Sequence, residues 1–174
     1  MERNISVIKD VNENQIVIIN DIRFKGRQNI DWDEVEQYLK QYVGEFVEIA
    51  ESKETIYIGN DLPDEYAGSN YTAKLKGALA KAKANAAQGI PKIVEIAENK
   101  RFKENLAKKH DKNAKFGWYR YDSRFALPIF DDYGEVLRYN VYHVELVIRH
   151  AEDKKLYLYD IINIKKETST PLKP

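Results

Sequence analysis

Apolar and polar positions alternate most strongly in the last third of the chain. Gly117 to Phe130, Val136 to His150 and Lys155 to Lys166 each read as a long strand, separated only by Asp131-Asp132-Tyr133-Gly134 and Ala151-Glu152-Asp153-Lys154. Connections this short join antiparallel neighbours, so the pattern predicts a meander with strands at 117–130, 136–150 and 155–166. Side chains alternate across a strand, and parity therefore sorts the residues into two faces. One face collects Tyr119, Tyr121, Phe125 and Leu127, then Tyr142, Val144, Leu146 and Ile148, then Leu156, Leu158, Ile162 and Ile164. This is the expected core face. The other receives Trp118, Arg120, Asp122 and Arg124, then His143, Glu145 and Arg149, then Tyr157, Tyr159, Asn163 and Lys165.

Upstream the period changes to that of helices. Asp31 with Glu34 forms a capping-box-like start, Trp32, Val35, Leu39 and Val43 form an apolar stripe, and Gly44 supplies a left-handed stop, which predicts a helix over 31–43. Phe46 to Ile49 and Thr55 to Ile58 read as short strands. The Ala- and Lys-rich segment 72–88 predicts a second helix, with Ser69 or Asn70 as N-cap and Gly89 as terminator. Pro91 then suits the first turn of further helix over 91–110, bent before Arg101. At the start, Ile5 to Ile8 and Gln15 to Ile19 flank a turn-like Asp10-Val11-Asn12-Glu13-Asn14 and read as a hairpin. The expected architecture is α+β: residues 1–30 form a β-hairpin appendage, and 31–174 form one domain. In that domain, N-terminal strands and helices pack on a C-terminal three- to four-stranded antiparallel sheet.

Composition removes several chemistries. The 174 residues contain no Cys, which excludes disulfides, a thiolate nucleophile and a Cys-based zinc site, and points to a reducing, cytoplasmic setting. No apolar run has the length of a signal core or a membrane span. Walker A, dinucleotide, HExxH and Gly-x-Ser-x-Gly motifs are absent, and the acids of Asp61-Leu62-Pro63-Asp64-Glu65-Tyr66 read as an acidic helix start, so neither cofactor nor metal is expected. Net charge is zero but polarised: residues 1–70 carry 7 basic and 15 acidic groups, 71–120 carry 13 and 4, and 121–174 carry 8 and 9. A basic middle suits RNA or another polyanion, whereas the 12 tyrosines suit a protein partner.

The polar sheet face holds the groups that cleave RNA without metal. A base takes the ribose 2′-hydroxyl proton, an acid protonates the leaving oxygen, and cations stabilise the phosphorane. His143 and Glu145, two apart on one strand, suit the acid and base. Arg120, Arg124 and Lys165 suit the phosphate, and Trp118, Tyr157 or Tyr159 suit base stacking. His110 closes the basic helix, and Thr168 offers a hydroxyl after the last strand. The same face also fits an ordinary exposed sheet with cross-strand charge pairs, in which case the chain is a non-catalytic nucleic-acid- or protein-binding module.

The stretches Ala82-Lys83-Ala84-Asn85-Ala86-Ala87-Gln88-Gly89, Gly117-Trp118-Tyr119-Arg120-Tyr121-Asp122-Ser123-Arg124-Phe125 and Leu156-Tyr157-Leu158-Tyr159-Asp160-Ile161, with Ile164-Lys165-Lys166-Glu167-Thr168, carry a resemblance. Over roughly residues 40 to 172 the chain resembles modules of large polyvalent proteins of phages and integrative elements. Those modules are related to the nuclease fold of barnase, EndoU, colicin and RelE-type toxins. The resemblance implies helices packed on an antiparallel sheet and a metal-independent endoribonuclease of toxin or effector type. By residue type it implies roles for His110, Arg120, Arg124 and His143, with Thr168 as the hydroxyl near the last strand. It does not supply two histidines flanking a lysine in the EndoU manner, so the acid and base remain open.

Overall fold

A computed structural model of the chain describes residues 5–26, 29–103 and 114–170. Three long strands, β6 (Trp118–Phe130), β7 (Val136–His150) and β8 (Leu156–Thr170), pair antiparallel in sequence order, as the alternation requires. They are only the centre of the sheet. The full order is β1-β2-β6-β7-β8-β4-β3, with β1 (Ile5–Lys9), β2 (Gln15–Ile19), β3 (Phe46–Glu48) and β4 (Thr55–Tyr57), while β5 (Glu98–Lys103) also pairs with β6.

The expected three- to four-stranded antiparallel sheet is thus corrected to a mixed sheet of eight strands. The reason lies at the edges of the meander, where unpaired backbone groups must find partners. On the outer side of β6, β5 covers Trp118 to Asp122, and β2 runs parallel beside Phe125 and Ala126. On the outer side of β8, β4 runs parallel beside Leu156 and Tyr157. Farther along, the Tyr71 hydroxyl accepts the Ile164 N–H at 2.8 Å. The N-terminal hairpin is therefore joined to the sheet, and Val17 and Ile19 lie in the main core. Where helix is expected to continue to His110, Glu98–Lys103 is strand β5, and residues 104–113 lie outside the described residues.

The helices gather on one face of the sheet. They are α1 (Trp32–Leu39), α2 (Leu62–Gly68), α3 (Asn70–Lys74), α4 (Gly77–Ala86) and α5 (Ile90–Glu95). Asp31 caps α1 by accepting the Glu34 N–H, as the capping pattern predicts. The expected helix 72–88 is broken into α3, α4 and a 3-10 turn at Ala87–Gly89: Leu75 and Lys76 are extended, and α4 restarts at Gly77, whose φ of 60° is open to glycine. In α4 the buried positions run almost continuously, Ala80, Ala82, Lys83, Ala84, Asn85 and Ala86, so this helix is enclosed rather than amphipathic. Its alanines permit close approach to the sheet, and a Cβ on the following Gly89 would meet the Ile19 side chain at 3.0 Å.

Two polar clips tie the parts together. Asn85 both donates to the Phe24 carbonyl and accepts its N–H, each at 3.0 Å, which fastens the segment after β2 to α4. At the other side, Glu54 accepts hydrogen bonds from Lys100 of β5 and from the Tyr121 hydroxyl of β6. Burial raises the Glu54 carboxyl, but these two partners outweigh it and its pKa ends below the ordinary 4.5. Such a group contributes stability above its unfolded pKa and loses it as pH falls through the lowered folded value. Urea midpoints followed from about pH 7 to about pH 3 should therefore drop more steeply for the native chain than for Glu54→Gln. Parallel curves would show that the clip does not stabilise the fold.

Candidate functional site

The polar face of β6, β7 and β8 is organised by strand register. Arg120 stands beside Val147 and Asp160, Asp122 beside Glu145 and Ile162, and Arg124 beside His143 and Lys165. The parity reading placed Ile162 on the core face. β8 instead has an extra residue at Tyr159 and another between Ile162 and Lys165, where Asn163 takes a φ of 52°. Each bulge shifts the alternation by one. Ile161 consequently enters the core and Ile162 joins the polar face, while Ile164 is core again.

β5 brings in Arg101 directly opposite Arg120, a pairing of like charges that would repel. Glu145 resolves it: its Oε1 lies 3.3 Å from Arg120 Nη1 and 3.7 Å from Arg101 Nη2. Asp122 is the second centre of the network, accepting from Asn99 Nδ2 at 2.7 Å and Arg101 Nη2 at 3.0 Å. His143 Nε2 lies 3.5 Å from the same carboxylate. Burial raises the Asp122 carboxyl, yet Asn99 and Arg101 together hold its pKa below the ordinary 3.8. Arg120 Nε is buried without a partner among the described residues.

Next to this network, a pocket of about 610 Å³ opens between the sheet and the α2–α3 junction. Trp118, Arg120 and Tyr159 line its sheet side, Lys103 its β5 side, and Glu65 and Ser69 its helical side. The Trp118 and Tyr159 rings meet edge to face at 4.9 Å. The Tyr159 hydroxyl bonds Glu65, whose carboxyl is raised by burial and by Asp160. Asp160 also lines the pocket and binds Lys83 Nζ at 2.6 Å behind it. Lys83 is fully buried; it donates as well to Thr72 Oγ1 at 2.6 Å and lies 4.6 Å from the Tyr66 ring centroid. One lysine of the basic segment thus belongs to the interior and offers nothing to a partner.

Of the sequence-derived candidates, His143, Glu145 and Arg120 come together, and Trp118 and Tyr159 stand in the adjoining pocket. Arg124 neighbours His143 but is bridged to Glu167 at 2.8 Å, and Lys165 is exposed on the far side of His143. Tyr157 lies elsewhere, stacked on Arg149 at 4.2 Å and donating to Asp153. Thr168 stands opposite Val141, two residues before His143 on β7. His110 falls outside the described residues.

Asp122, Arg101, Asn99 and Glu65 complete the arrangement without having been singled out from the sequence. Asp122 was legible by parity alone. Arg101 and Asn99 required β5 to be recognised as a strand, and Glu65 required α2 to be placed against β8. Among the described residues no helix is long and apolar enough to cross a membrane, and no three His, Asp or Glu side chains are grouped to hold a metal ion. No protein family, curated protein or solved structure matches this chain.

Proposed function

We propose that the polar sheet face is the active site of a metal-independent endoribonuclease of the toxin or effector type carried by mobile elements, working in the cytoplasm. The observation that carries this reading is the convergence of His143, Glu145, Asp122, Arg101 and Arg120 in one network beside a pocket with aromatic walls. Residues two apart on a strand lie roughly 6.8 Å apart, which leaves room for a phosphate between Glu145 and His143. Glu145 takes the 2′-hydroxyl proton as the oxygen attacks phosphorus. Protonated His143, oriented by Asp122, delivers a proton to the departing 5′-oxygen. Arg101 and Arg120 donate to the phosphorane oxygens, and the products are a 2′,3′-cyclic phosphate and a 5′-hydroxyl. The resemblance to polyvalent-protein modules supports the same reading.

Incubation with total RNA and a defined tRNA pool, in chelator and at low salt, tests it. Cleavage that survives chelation and leaves a 2′,3′-cyclic end is expected; intact RNA would dismiss the catalytic reading. A specific observation favours a second one. Arg101, Arg120 and Arg124 each already have a carboxylate partner, the cross-strand charge pairing of a sheet face without chemistry, which fits a non-catalytic nucleic-acid- or protein-binding module. That module would associate in a salt-dependent manner without turnover.

A further inference from the structure

We propose that a second cavity, on the helical face of the sheet, binds a medium-chain monocarboxylate, with its apolar chain inserted between α4 and the β6–β7 hairpin and its carboxylate held by Lys25 and Lys81. The cavity measures about 660 Å³, a volume within the range of small-molecule sites. Ile22, Leu127, Ile129 and Tyr142 line it, together with Phe130, which is 43% exposed. Leu127, Tyr142 and the lining residue Ala82 belong to the main core, so the cavity reaches that core on the side of the sheet opposite Asp122 and His143. The site therefore goes beyond the RNA reading and stands whether or not the polar face cleaves RNA.

The sequence leaves this space open. Besides Lys81, α4 contributes only the methyl groups of Ala78 and Ala82, where longer apolar side chains would fill the gap to β6. Close-packed interiors rarely keep a void of this size against apolar atoms. Two lysines from separate segments meet at the same cavity, Lys25 from the stretch after β2 and Lys81 from α4, and neither has an ion pair among the described residues. Asp21 is the one acid among the described lining residues, which leaves two cations to one anion.

Those two features select the ligand. A phosphate would satisfy the ammonium groups and leave the apolar walls facing water. A neutral hydrocarbon would cover the walls and give the lysines nothing, and a cation would be opposed by both. A chain ending in a carboxylate answers both features, because its methylenes leave water and its charge accepts hydrogen bonds from the ammonium groups. Lys25 is exposed and Lys81 half-buried, so the carboxylate is met near the surface while the chain points inward.

Calorimetric titration of the full chain with butanoate, hexanoate, octanoate, octanol and octylammonium tests the site with no residue altered. From butanoate to octanoate, each added methylene should tighten binding roughly 3- to 4-fold. Octanol should bind roughly 10-fold more weakly than octanoate, and octylammonium more weakly still. Lys25→Ala combined with Lys81→Ala should bring octanoate to the affinity of octanol and leave octanol unchanged, a pattern that loss of the fold would not give. Ala78→Phe, which fills the cavity, should remove binding of both. Affinity independent of chain length, octylammonium binding as tightly as octanoate, or no binding of any probe would overturn the inference. A peptide whose C-terminal leucine bound more tightly than octanoate would overturn it as well, by giving the cavity to a chain end.

Discussion

Lys83→Met is expected to lower the unfolding free energy by about 3–5 kcal/mol, because it breaks a buried ion pair. Lys83 is fully buried, and its ammonium is held by Asp160 and Thr72 at 2.6 Å each. Removing it leaves the Asp160 carboxylate, itself 3% exposed, without its cation. Burial already pulls the Lys83 pKa down and pushes that of Asp160 up, each in part opposed by the other's charge. In the variant this opposition vanishes, and Asp160 should take up a proton more readily. Two consequences distinguish charge from packing. The deficit should shrink as the pH is lowered, because a protonated Asp160 needs no cation. Lys83→Met combined with Asp160→Asn should recover about half of the loss or more, since the amide keeps an acceptor for the Ile161 N–H. Denaturant titrations of the single and double variants across pH provide the measurement. A deficit that is constant with pH and unchanged in the double variant would mean that the lysine stem, not its charge, holds α4 to β8.

The second large effect is on turnover. If Glu145 and His143 divide the proton transfers, Glu145→Gln and His143→Ala should each slow RNA cleavage by roughly 10²- to 10⁴-fold. The double variant should be little worse than the weaker single, because residues acting as a unit do not contribute additively. Neither change touches the main core, and both side chains are about one-quarter exposed, so melting temperatures should move little. Arg124→Ala provides the contrast. Its ion pair with Glu167 sits toward the surface, and its loss should lower stability by no more than about 1 kcal/mol. Full activity in both single variants would remove these two residues from the chemistry.

The three-strand meander is the part of the fold that local sequence determines most completely. Period-two alternation over 117–130, 136–150 and 155–166, interrupted by short polar turns, specifies strand, direction and order with no reference to distant residues, although β8 runs on to Thr170 and its bulges shift the alternation. The cap at Asp31 is equally local. Arg120, His143 and Glu145 were legible for the same reason, since parity on adjacent antiparallel strands places them on one face.

Tertiary structure decided what lies at the edges of that meander and what is buried behind it. Glu98–Lys103 has helix-forming neighbours, but the open edge of β6 offers it a ladder of partners, and the strand brings Arg101 and Asn99 to the site. The bulges of β8 exchange Ile161 for Ile162 and bring Tyr159 and Asp160 to the pocket wall; nothing in the alternation marks where an extra residue will be accommodated. Lys83 reads as one more surface lysine in a basic helix. Its partner Asp160 is 77 residues away, and only when α4 is laid against the sheet do the two charges leave water together. Periodicity is written in neighbouring residues and survives in the sequence alone, whereas edge pairing, bulges and buried ion pairs depend on groups that only the packed chain brings into contact.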